Sequence, residues 1–242
     1  MRIGLFDSGM GGLTVLKMLR KKYPDNDYIY YGDNVNVPYG SKTTYELLDL
    51  AHNNINFLIS KKVDMIIIAC GTISSTCYHL IKKEYDIPIY DIISPTLDYL
   101  NKSKCNNILV MATVRTIDSH IFRDNVKKHI YELKTPELAS LIENNQLDNI
   151  DDILKKYLSQ YVGKIDTLVL GCTHYPVISS NIKKILGNVK IIDMASKIKI
   201  PNYGKGTMDI YFSKVSDGVT LNVQRILDDN KVTVKIANVN SK

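Results

Sequence analysis

Val63-Asp-Met-Ile-Ile-Ile-Ala-Cys70 runs from an apolar entry through an aspartate and an unbroken apolar stretch to a small residue and a thiol, and Ile165-Asp-Thr-Leu-Val-Leu-Gly-Cys172 repeats that plan. A short continuous apolar run bounded in this way marks a strand buried on both faces, as in a parallel sheet. Outward from the first run the pattern alternates. Before it lie a strand over 3–6, the turn Asp7-Ser-Gly-Met-Gly-Gly12, a helix over 13–22, a strand over 27–31 and an amphipathic helix over 44–60. After it come a helix over 72–83 and a short strand over 87–89. Such alternation predicts an α/β fold with a doubly wound parallel sheet.

The same grammar restarts near Ser94-Pro95. A strand over 108–111 enters a turn at Ala112-Thr113, helices are expected over 119–127 and 150–161, and the strand over 167–170 ends at Gly171-Cys172. A helix over 177–186 and a strand over 190–193 follow. The tail offers a strand over 208–212, a helix over 219–228 and a β-branched segment over 232–236, and is expected to return to the first sheet. Nearly the same offset separates Cys70 from Cys172 and Ile3 from Ile108. That agreement predicts an internal duplication: two pseudo-symmetric domains, residues 1–93 with 207–242 and residues 94–206, with the active site in the cleft between them.

Composition narrows the classes. Hydrophobic residues at 45% and charged residues at 23% are those of a globular protein, and no apolar run approaches the ~20 residues of a spanning helix. The chain begins directly on a strand pattern, so no signal peptide is expected and the cytoplasm is the expected location. There, four cysteines imply reactive or buried thiols rather than disulfides. The net charge of +6 is spread over lysine pairs such as Lys82-Lys83 and Lys183-Lys184, which argues against nucleic acid and for solvated helix faces. A positive field still favours a small acidic substrate.

In an open parallel sheet, ligands bind beyond the carboxyl ends of the strands. Asp7-Ser8, Cys70-Gly71-Thr72, Thr113 and Cys172-Thr173-His174 all fall at such ends and are expected to converge. Cys70 and Cys172 each precede a predicted helix, a position that favours thiolate. His174 could exchange a proton with Cys172, as Asp7 could tune Cys70. Two thiols on opposite faces of a carbon acid can remove a hydrogen from one side and return one from the other, inverting the centre. Asp7-Ser-Gly-Met-Gly-Gly12 lacks both the Gly-x-Gly-x-x-Gly and the Walker patterns, so nucleotide is not expected. The absence of Cys-x-x-Cys and His-x-x-x-His spacings leaves no metal expected.

Three stretches carry a resemblance. Ile3-Gly-Leu-Phe-Asp-Ser-Gly-Met-Gly-Gly-Leu-Thr-Val-Leu, Tyr31-Gly-Asp with Val37-Pro-Tyr-Gly40, and Leu168-Val-Leu-Gly-Cys-Thr-His-Tyr-Pro176 resemble glutamate racemase, within the aspartate/glutamate racemase superfamily. The similarity extends from Met1 to about Ala195. It implies interconversion of L- and D-glutamate without a cofactor, with Cys70 and Cys172 as the two bases, Asp7 and His174 assisting, and Glu143 near the second thiol. Asp7, Ser8, Pro38, Tyr39, Gly40, Gly71, Thr72, Thr113, Thr116, Thr173 and His174 are implied as substrate contacts. D-glutamate for peptidoglycan is the implied product, and a homodimer is common in the family.

Departures stand beside the matches. Gly71 replaces the asparagine the family places after the first catalytic cysteine, Thr135 stands where Cys-Pro is common, and the segment over 197–206 is shortened. Two alternatives stay open: an aspartate or broad-specificity racemase of the same superfamily, and a catalytically silent binding or regulatory homologue.

Overall fold

In the computed structural model, which describes residues 1–237 and 239, the chain builds two wholly parallel sheets. The first contains β1 (Arg2–Asp7), β2 (Asp27–Gly32), β3 (Met65–Ile68) and β4 (Ile89–Asp91); the second contains β5 (Asn107–Ala112), β6 (His129–Lys134), β7 (Thr167–Leu170) and β8 (Lys190–Asp193). The tail supplies β9 (Met208–Phe212) and β10 (Val234–Ile236) to the first sheet. The strand orders are β10-β9-β2-β1-β3-β4 and β6-β5-β7-β8. Stripped of the tail, each sheet runs second, first, third, fourth, so β1 corresponds to β5 and β3 to β7. Residues 238 and 240–242 of the expected first domain lie outside the described residues.

The central strands are apolar on both faces because helices cover both. Leu5 pairs with Ile67 and Met111 with Leu170 in register, and all four are buried. Helix starts follow local chemistry. Thr43 and Glu46 form a reciprocal capping box at the helix Thr44–Ser60, with the Thr43 N–H donating to Glu46 at 2.8 Å, which satisfies end groups the helix itself cannot pair.

Several expected helices break where side chains or backbone intervene. The helix expected over 72–83 is two, Gly71–Thr76 and Tyr78–Ile81; the Ser75 and Thr76 hydroxyls both donate back to Thr72 O, at 3.0 and 2.7 Å, competing with the helical ladder. The helix expected over 119–127 is replaced by Val114–Asp118 and Ile121–Asn125, separated by His120 at φ 52°. The segment over 177–186 opens with a 3-10 turn, Tyr175–Ile178, before the helix Ser179–Leu186. No helix among the described residues is long and apolar enough to cross a membrane.

Candidate functional site

In both sheets the strand order reverses at the gap between the first and third strands, the place where loops diverge and leave a crevice. Those two crevices face one cavity of about 340 Å³. Into its wall go Ser8 after β1, Pro38, Tyr39 and Gly40 after β2, Cys70, Gly71 and Thr72 after β3, Thr113 after β5, and Cys172, Thr173 and His174 after β7, joined by Glu143. Both thiols are therefore on one cavity, each from an equivalent strand end of a different sheet.

Asp7 and Thr116, expected among the substrate contacts, do not line it. Both are fully buried behind the wall. Asp7 Oδ2 accepts the N–H of Gly12 at 2.8 Å and of Gly9 at 3.4 Å, tying down the loop that carries Ser8, while Oδ1 has no partner among the described residues. The Thr116 hydroxyl lies 3.0 Å from that of Thr113, which in turn lies 3.1 Å from that of Thr72. Thr116 thus reaches the cavity only through a hydroxyl chain.

Around the second thiol the polar groups form a line. Cys172 Sγ is 3.5 Å from His174 Nδ1, and His174 Nε2 is 2.5 Å from Glu143 Oε2. Burial works against an imidazolium here, but the Cys172 sulfur and the Glu143 carboxylate outweigh it and hold His174 well above its ordinary pKa. A carboxylate that orients one ring nitrogen leaves the other aimed at the sulfur. The Gly-rich loop gains its meaning from the same region. A Cβ on Gly9 would run into the Glu143 carboxylate, and one on Gly11 into the His174 ring and the Thr173 hydroxyl. The glycines admit the opposite half of the molecule rather than a phosphate.

Around the first thiol the field has the opposite sense. Burial, and then the Asp7 carboxylate, push Cys70 far up from its ordinary value, against the weaker pull of the Ile73 and Thr72 N–H groups. The expectation that a following helix would favour thiolate there is overturned: that helix has only six residues, and loss of water outweighs its end groups. Burial likewise raises Asp7, partly offset by His174 and the Gly12 N–H.

Tyr39 is held by groups outside the expected set. Its hydroxyl donates to Asp33 Oδ2 at 2.7 Å and accepts from Asn54 Nδ2 at 3.2 Å. Further wall residues come from a region with no element expected from the sequence: Ala139 and Ser140 lie in the helix Leu138–Glu143, and Pro136 and Asn144 stand just outside its two ends, after β6. The available signal was the alternation His129-Ile-Tyr-Glu-Leu-Lys134 followed by the breaker Thr135-Pro136.

The cavity is set at paired strand ends, with Asp7 behind one thiol and His174 beside the other, and the chain belongs to the Asp/Glu/hydantoin racemase family, whose pattern it matches over residues 14–196. It is a racemase, an isomerase, and its relatives place it on the glutamate racemase branch. The glutamate racemase of Aquifex aeolicus is 34% identical over 98% of this chain and 99% of its own length; that of Fusobacterium nucleatum is 40% identical over 81% and 78%. Among solved structures, the Francisella tularensis glutamate racemase in complex with D-glutamate superposes with a TM-score of 0.85 at 28% identity, covering 100% of this chain and 98% of that one. The Aquifex pyrophilus glutamate racemase gives 0.84 at 33%, with 98% of each chain covered.

Proposed function

We propose that the chain interconverts L- and D-glutamate by a two-base mechanism in which residues 1–93 with 207–242 supply Cys70 and residues 94–206 supply Cys172. The observation that carries this reading is the arrival of both thiols, from equivalent strand ends, on one cavity. In one direction the Cys172 thiolate, its proton held by the His174 imidazolium, takes the α-hydrogen; the C–H bond breaks and an S–H bond forms. Cys70, kept as a thiol by burial, then delivers its own hydrogen to the opposite face of the carbanion. The reverse reaction exchanges the roles. No atom is gained or lost and no cofactor takes part.

The α-hydrogen of an amino acid is a very weak acid, so the work depends on orientation and on exclusion of water. The hydroxyls of Ser8, Thr72, Thr113 and Thr173, with the backbone at Tyr39 and Gly40, are the groups to hold the two substrate carboxylates. Names of relatives and the D-glutamate complex of the Francisella enzyme support glutamate as substrate. D-glutamate made in the cytoplasm would serve peptidoglycan synthesis.

The test is inversion of each amino acid followed by circular dichroism, with α-hydrogen exchange in deuterated water beside it. Glutamate is expected to invert, and Cys70→Ser and Cys172→Ser are each expected to abolish inversion with the fold retained. Inversion of aspartate alone would move the reading to an aspartate racemase. No exchange at high protein concentration would leave a binding protein, and full activity in either variant would end the two-thiol mechanism.

A further inference from the structure

Gly71, the position at which this chain departs from the family's asparagine, lies directly against the other half of the molecule. A Cβ built on it would stand 2.7 Å from the backbone carbonyl oxygen of Gly171 and 3.7 Å from Met194 Cε. The near obstacle is main chain, which cannot swing aside as the end of a side chain can. Gly171 has little room to retreat, because its own N–H donates to Met111 O at 2.8 Å and a Cβ on it would meet Ala112 Cβ at 2.8 Å. Gly71 follows Cys70 and Gly171 precedes Cys172. The two thiol-bearing strand ends therefore meet backbone to backbone, glycine on glycine.

We infer that Gly71 is a positioning residue that sets the separation of the two thiols in this chain: having no side chain, it lets the Cys172 strand end close on the Cys70 strand end until main chain meets main chain, an approach that a Cβ on this backbone would obstruct. This rests on the two-thiol reading above. The consequence is chemical. In a two-base inversion the carbanion made by one thiol is quenched by the other, and the gap between them governs how quickly that happens. A wider gap prolongs the carbanion and gives the abstracting thiol time to exchange its hydrogen with solvent and return it to the same face. Deuterium then enters the unreacted enantiomer, whereas in a well-spaced site it enters the product.

The experiment compares wild type with Gly71→Ala, measuring glutamate inversion and the deuterium content of residual substrate and of product in deuterated water. Inversion is expected to fall tenfold to roughly a hundredfold, the scale of a displacement under about 1 Å at reacting groups. KM should change little, and the share of deuterium in residual substrate should rise several-fold. Ala112→Gly, which gives Gly171 room to recede without altering Gly71, is expected to move the same share in the same direction, and serves if Gly71→Ala does not fold. A proportional loss of inversion and exchange, with the share unmoved in both variants, overturns the inference alone. A wild type that fails to invert glutamate removes the two-thiol reading and this inference with it.

Discussion

Glu143 of the helix Leu138–Glu143 accepts the backbone N–H of Met10, in the Gly-rich loop of the first half, at 3.0 Å to Oε1 and 3.1 Å to Oε2. The same carboxylate grips His174. One side chain therefore fastens the two halves together across the cavity and fixes the charge of the imidazole beside Cys172.

Glu143→Gln keeps an acceptor for Met10 and removes the charge. His174 then loses one of the two influences that raise its pKa, so the limb of the pH profile governed by the imidazolium should move to lower pH. Turnover should drop by about a hundredfold, the lower range for loss of assisted proton transfer. Profiles of kcat/KM for wild type and variant decide it; an unmoved limb would show that Glu143 serves only the Met10 contact.

Cys70 keeps its proton in the folded protein beyond its ordinary value of 9.0. A group raised in this way contributes stability that is whole below the unfolded pKa and is lost as pH climbs toward the folded one. Cys70→Ala lacks that contribution, so its unfolding free energy should decline less steeply above pH 9, by up to about 1.4 kcal/mol per unit. Denaturant midpoints on either side of that pH, in both proteins, test the sign.

Asp7 is raised from 3.8 by burial, and one of its oxygens has no partner among the described residues. Its contribution is present below 3.8 and is lost as pH rises through the folded value, so at neutral pH keeping this carboxyl group buried costs stability. Asp7→Asn should be the more stable protein at pH 7, by about 1 kcal/mol, with the advantage shrinking on acidification. Inversion of glutamate should fall in the same variant. Urea unfolding at the two pH values would refute this if wild type were the more stable at neutrality.

Removing the Tyr39 hydroxyl leaves buried Asn54 Nδ2 without its acceptor and takes from Asp33 Oδ2 one of its two donors, the other being Asn36 Nδ2 at 2.9 Å. Tyr39→Phe should cost about 1–3 kcal/mol of stability and raise KM for glutamate more than it lowers kcat. An unchanged KM would show that the tyrosine stands beside the substrate without holding it.

The buried strands were readable because β3 and β7 are covered on both faces, leaving Met65-Ile-Ile-Ile68 and Thr167-Leu-Val-Leu170 as unbroken runs. β6 is the edge of its sheet and mostly half exposed, so it shows no such run, and neither it nor the wall residues next to it stand out in the sequence. Residues at strand ends were legible because parallel topology itself gathers them: Cys70, Thr72, Cys172 and His174 needed only their position along the chain. Asp33 and Asn54 were not, since their part depends on where the Tyr39 ring falls in three dimensions. Helix breaks at Cys77 and His120 follow from hydroxyl back-bonding and one left-handed residue, neither of which leaves a mark in hydrophobic period. At Gly71 the missing side chain is visible in the sequence, whereas the Gly171 carbonyl oxygen packed against it is visible only in the fold.

The tail strand β9 seals the outer side of β2, pairing with it from Tyr28 to Gly32, and it is made long after β2 in the order of synthesis. During translation the second sheet, complete at Asp193, can assemble while β2 still shows an open edge flanked by the buried aromatics Tyr28, Tyr30 and Tyr31. Such an edge is a template for pairing with another chain. A ribosome stalled before Met208, or a truncation at that point, should thus yield a protein with both thiols present and a strong tendency to aggregate, its solubility depending on a segment none of whose described residues lines the cavity.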